Sequence, residues 1–140
     1  MYADFTMASA EQLIEQGRKA RTERRLEDAR RLYGEAAQLL RESDRLRYAH
    51  SIRHIADMFQ DEANLADARP LYLEALEIYR SDLNTRLLDL ANTVRPYALL
   101  TEAAGEKDTA RELWQEAMCL YRSLRIEAGV KECEAHLLAE

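Results

Sequence analysis

Glycine and proline are both scarce in this 140-residue chain, at four and two residues. Folds built from sheets and tight turns need many of both, so their scarcity argues for long helices joined by short connections. No run of about 18 apolar residues is present, which leaves no candidate membrane span. Two cysteines, Cys119 and Cys133, are too few for a disulfide framework. The opening residues Met1-Tyr2-Ala3-Asp4-Phe5-Thr6 lack the basic end and apolar stretch of an export signal, so the expectation is a cytoplasmic protein with reduced thiols. Both cysteines fall at packing positions of predicted helices. The glycines, at 17, 34, 105 and 129, are isolated, and no glycine-rich phosphate loop exists. Gly-x-Ser-x-Gly, His-Glu-x-x-His and Glu-x-x-His are all missing, so nucleophile-elbow, zinc-protease and di-iron-bundle chemistry have no sequence support. No catalytic residue and no cofactor is nominated, and the expectation is a protein that is not an enzyme.

Basic residues are also in deficit. The net charge is -6, which opposes a general nucleic-acid binder, because such a protein needs a basic face to displace counterions. The balance is uneven: residues 1–60 carry 11 basic and 10 acidic side chains, and residues 61–140 carry 9 and 16. Of the 20 basic residues 17 are arginine, a side chain suited to forked pairing with carboxylates.

Helical periodicity, by contrast, is abundant. Apolar residues recur at steps of three and four almost throughout. The pattern predicts seven helices, over 9–23, 26–42, 45–62, 65–80, 83–103, 107–123 and 127–138. Ser9 with Gln12 forms a capping box. Breaks fall at Arg24-Arg25, Ala63-Asn64 and Gly105-Glu106, where Asn64 and Gly105 suit a left-handed turn. Ser43-Asp44 and Ser81-Asp82 separate other helices and suit N-terminal caps for the helix after each. With no Ser/Gly/Pro-rich linker, residues 9–140 read as a single helical-repeat domain behind a tail of residues 1–8.

The strongest signal is an internal repeat. Asp28-Ala29-Arg30-Arg31-Leu32-Tyr33-Gly34-Glu35-Ala36 returns as Asp67-Ala68-Arg69-Pro70-Leu71-Tyr72-Leu73-Glu74-Ala75, and again as Thr109-Ala110-Arg111-Glu112-Leu113-Trp114-Gln115-Glu116-Ala117. The steps between copies are 39 and 42 residues. Upstream of each copy stands a small residue, Gly17, Ala56 or Ala98, where two helices would cross closely.

At these residues the chain resembles the tetratricopeptide repeat family, whose motif places a small residue, an aromatic four on and another small residue three further. Ala29/Tyr33/Ala36, Ala68/Tyr72/Ala75 and Ala110/Trp114/Ala117 supply it three times. The departures are several. The larger apolar residue of the first helix is Phe59 in one repeat but Ala20 and Thr101 in the others. The turn glycine is present only as Gly105, and the proline that ends each second helix is missing. The repeats are longer than usual and are similar to those of kinesin light chains. The resemblance implies an all-α, right-handed α-solenoid of three helix pairs, near 10–42, 45–80 and 83–123, closed by a capping helix at 127–138. In that cap Val130, Cys133 and Leu137 would face inward, with Lys131, Glu132 and Glu134 facing away.

The resemblance also implies a non-catalytic scaffold or adaptor that holds a peptide or protein in a concave groove lined by the first helix of each pair. The groove would present Ile14, Arg18 and Arg21, then His50, Arg53, His54, Asp57 and Asp61, then Asn92, Arg95, Leu99 and Glu102. Arg53 and Arg95 occupy matching places and could grip carboxylates together, unless they are solvated or paired with Asp57 and Glu102. His50, His54, Asp57 and Asp61, spaced four, three and four apart, share a helix face and are the one set with metal-ligand character. A polar groove wall is the plainer reading of those four, and no metal is assigned. A homo-oligomer built through an exposed helix face is the alternative to the groove.

Overall fold

The computed structural model describes residues 8–139, and among them the chain is all-α. Seven helices follow one another: α1 Ala10–Thr22, α2 Leu26–Leu40, α3 Arg45–Asp61, α4 Leu65–Ser81, α5 Leu87–Ala103, α6 Lys107–Ser123 and α7 Glu127–Leu138. The expected tail lies outside the described residues except for Ala8, which packs against the core beside α1. The chain divides into two compact units, Met1–Leu71 and Tyr72–Glu140, with the division inside α4.

Helix starts follow from local chemistry. Ser9 and Gln12 close a reciprocal capping box at α1. Asp44 accepts the Arg47 amide at α3, and Asn64 accepts the Asp67 amide at α4. Asn64 is therefore a cap and not the left-handed residue expected of it. That conformation belongs to Ala63 (φ 62°), and to Arg24 (63°), Arg125 (59°) and Gly105 (81°). At all four turns the next amide reaches back to close the helix end, Arg25 to Ala20, Asn64 to Phe59, Glu106 to Thr101 and Ile126 to Tyr121, each at 2.8–2.9 Å.

One boundary differs by more than two residues from the periodicity: α5 begins at Leu87, not 83. The Asp82 carboxylate accepts the Asn84 amide at 2.8 Å, and the Thr85 hydroxyl donates to the Tyr79 carbonyl at 2.7 Å. These bonds hold residues 82–85 as a turn. Ser81 donates back to the Ile78 carbonyl and does not cap the following helix. Pro96 lies within α5, and the helix runs through it.

The repeat motif forms the core of both units. Tyr33, Tyr72 and Trp114 are each at most 1% exposed, and the flanking Ala29, Ala36, Ala68, Ala75, Ala110 and Ala117 are at most 3% exposed. In the first unit Leu13, Ala20, Leu32 and Met58 complete the cluster around Tyr33. Burial of this kind contributes on the order of 1.5–3 kcal/mol per large side chain.

Two glycines show opposite constraints. A Cβ on Gly129 of α7 would lie 2.5–2.8 Å from the Tyr121 ring, whereas one on Gly34 of α2 would meet nothing within 4 Å. Gly34→Ala should therefore stabilise the protein by about 0.5–1 kcal/mol through helix propensity. Gly129→Ala should destabilise it by roughly 1–3 kcal/mol, because the ring must shift. Urea unfolding of the two variants checks the pair, and equal effects would contradict the α6–α7 packing.

Candidate partner-binding surface

The expected groove residues fall into two sets, one in each compact unit. In the first, Ile14 packs against the core and Arg18 is a solvated residue paired with Glu15 on its own helix. The rest form a connected wall. The Arg21 guanidinium donates to Nδ1 of His54 at 3.1 Å and to Asp61 at 3.3 Å. His54 stacks flat on Tyr33, ring centroids 4.9 Å apart and planes 6° apart. His50 meets the edge of His54 at 4.5 Å. Arg53 donates to Asp57 at 3.0 Å, with the two side chains only 12% and 15% exposed.

This geometry decides the protonation of His54. Burial, reinforced by Arg53, His50 and Arg21, pushes it from 6.5 down to about 2. The neutral ring accepts from Arg21 at Nδ1, which places its proton on Nε2. The four residues singled out for metal-ligand character do not gather around a cation. Asp57 serves Arg53, Asp61 and His54 serve Arg21, and among the described residues no three His, Cys, Asp or Glu side chains form a metal-binding group.

In the second unit the expected groove residues are engaged by α6 and α7. Arg95 makes a two-pronged pair with Glu132 of α7, at 2.6 and 2.9 Å. The fork joins α5 to α7 and engages Arg95 within its own unit. Asn92 accepts from the Tyr121 hydroxyl at 2.9 Å. Leu99 is half-buried. Glu102 accepts from the indole Nε1 of Trp114 at 3.0 Å and lies 3.0–3.1 Å from Nδ1 of His136. His136 stacks on Trp114, centroids 4.0 Å apart and planes 8° apart.

Glu132 therefore turns inward, contrary to its expected outward position, while Cys133 is fully buried as expected of it. Burial raises the Cys133 thiol to about 11, with Glu132 adding to the effect. Cys119, expected at a packing position, is exposed.

His136 is absent from the residues that the sequence nominates, although a signal for it exists. His54 and His136 are each the tenth residue of their helix, α3 and α7, and each faces the aromatic of the helix before. Arg21 and Glu102 each stand four residues after the small crossing residue, Gly17 or Ala98. In its own unit α7 thus repeats the role of α3. The tenth residue of α5 is Pro96, which carries no aromatic ring, and Tyr72 meets Tyr97 at 6.0 Å.

Comparison with known proteins finds no matching family model and no matching curated protein. The fold is similar to the crystal structure of BtubC (BKLC) from P. vanneervenii, with a TM-score of 0.79 at 17% sequence identity. The match covers 91% of this chain and 53% of that one, so this chain spans about half the length of the protein it resembles. The likeness establishes the fold, a helical repeat. No helix among the described residues is long and apolar enough to cross a membrane.

The neutral His54 makes a pH prediction. Its folded pKa lies below the unfolded 6.5, so below that pH only the unfolded chain takes up the proton. The contribution of His54 to stability is full above pH 6.5 and is lost as the pH falls toward 2. The loss reaches about 1.4 kcal/mol per pH unit at most. Urea unfolding between these limits should show that slope in the parent and a shallower one in His54→Gln. Identical profiles would contradict a buried neutral imidazole.

Proposed function

We propose that the chain is a tetratricopeptide-type scaffold, without catalytic chemistry, that holds a peptide or protein segment against the polar wall of α1 and α3. The observation that carries this reading is the state of Arg53. Its side chain is largely buried, it gives Nη1 to Asp57, and its Nε has no protein acceptor among the described residues. A buried donor left unmade costs about 1–3 kcal/mol, which a small rotation of the guanidinium toward an incoming acceptor removes. Peptide carbonyls and carboxylates are the acceptors that match a guanidinium fork. His54 is already held by Tyr33 and Arg21, and His50 meets its edge, so little side-chain freedom of His54 is lost on binding. The threefold motif and the helical-repeat neighbour support the family reading.

Selection of random peptides displayed on phage tests the proposal. The parent protein should enrich peptides with acidic residues or a required free C-terminus. Arg53→Ala should weaken the best of them by roughly 10- to 150-fold, the equivalent of about 1.5–3 kcal/mol for a charge-assisted bond. Arg53→Lys, which keeps the charge beside Asp57 but not the fork, should weaken it too. Circular dichroism checks that both variants remain folded. Undiminished binding by folded Arg53→Ala, or no enrichment by the parent, rejects the assignment.

A further inference from the structure

Helix α7 repeats the register of α3 and α5 but not what those helices bury. The fifth, eighth and twelfth residues of α3 are Ala49, Ile52 and Ala56, and those of α5 are Ala91, Val94 and Ala98; all six are at most 3% exposed. On α7 the same places hold Lys131, Glu134 and Leu138, all exposed, with Leu138 at 83%. Together with Glu127 they form one outward stripe at steps of four, three and four, flanked by the exposed small residues Ala128 and Ala135. That spacing keeps the four residues on one face of the helix. Beside it lies a cleft of about 360 Å3, with Ile126 and Val130 as its apolar part and Arg122 and Arg125 at its rim. Glu127, Lys131 and Glu134 hold no ion pair among the described residues.

We propose that this face of α7 pairs with the same face of a second copy, antiparallel about a two-fold axis. Lys131 of each copy then meets Glu134 of the other, and Glu127 lies beside Leu138. The occupant is a second copy because the stripe carries its own complement. A cation and a carboxylate three residues apart exchange places under two-fold rotation, so each salt link forms twice. Ala128 and Ala135 allow close approach, and Ile126 and Val130 supply apolar contact. A seam of one short helix falls well below the roughly 1,200–2,000 Å2 of a stable complex, so the dimer is weak and concentration-dependent. The pairing is independent of peptide binding, whose residues lie on α1 and α3.

Sedimentation velocity of the full chain from micromolar to millimolar concentration, at low salt, tests it. The parent should shift from monomer toward dimer. Lys131→Glu and Glu134→Lys, both surface changes, should each remain monomeric when alone, because like charges then face each other. An equimolar mixture of the two should dimerise again, since each copy now complements the other. A parent that stays monomeric, single variants that associate as the parent does, or a mixture that stays monomeric would each overturn the pairing.

Discussion

The rest of the structure depends on a flat ring wedged between two helices. Tyr33 of α2 lies so close to α1 that a Cβ on Gly17 would sit 3.0 Å from its ring carbons, and its other side stacks on His54 of α3. That wedge has three consequences. Only glycine or a similarly small residue fits at the crossing on α1. The tenth residue of α3 must offer a flat face, which imidazole provides. The imidazole so placed is too buried to carry a proton, and a donor from α1, Arg21, completes its hydrogen bonding. In the second unit Trp114 and His136 repeat the stack, but Glu102 stands where Arg21 stands. The same backbone arrangement thus accommodates opposite polarity, with the ring nitrogen accepting from a cation in one unit and facing a carboxylate in the other.

Turns carry a second constraint, and here the chain tolerates strain. A left-handed residue other than glycine costs about 1–2 kcal/mol, yet Arg24, Ala63 and Arg125 adopt that conformation. What holds them is the pair of backbone bonds that closes each helix end, together with helices already fixed on both sides by buried aromatics. Packing decides the turn and the residue type adapts to it. This is why a turn glycine, present as Gly105 in one repeat, can be missing from the other two while the turn itself persists.

That ordering also explains what is legible in the sequence. The threefold small–aromatic–small motif is readable because burial imposes it on composition, and every residue of it is buried. Most helix limits are readable from periodicity and caps. Asn64 is ambiguous because asparagine suits both a left-handed turn and a cap, and the neighbouring Asp67 amide settles it as a cap. Periodicity misplaces the start of α5 because Leu83, Leu87 and Leu88 continue an apolar period across a turn fixed by the side chains of Asp82 and Thr85. At the candidate surface, Arg95 looks equivalent to Arg53, but equivalence in register says nothing about which carboxylate arrives from a later helix. Glu132 lies 37 residues away, beyond any local pattern.

Arginine abundance has a structural use that narrows what remains for recognition. Arg21–Asp61, Arg30–Glu62, Arg80–Glu116 and Arg95–Glu132 each join residues 32 to 40 positions apart, near one repeat length, within a single unit. Such half-exposed pairs are worth about 0–1 kcal/mol each, too little to hold the fold. Their value lies in direction, since a planar fork matched to a carboxylate favours one register of one helix against the next. Arginines engaged in this way are poor candidates for holding a ligand, because a ligand must first displace an internal carboxylate. Arg53 differs because its pairing with Asp57 leaves Nε without a protein acceptor among the described residues. Lys131 differs because it stands on an outward face where the corresponding residues of α3 and α5 are buried alanines. Both proposed contacts fall where internal pairing stops, at the Arg53 guanidinium on α3 and at the Lys131 and Glu134 stripe on α7.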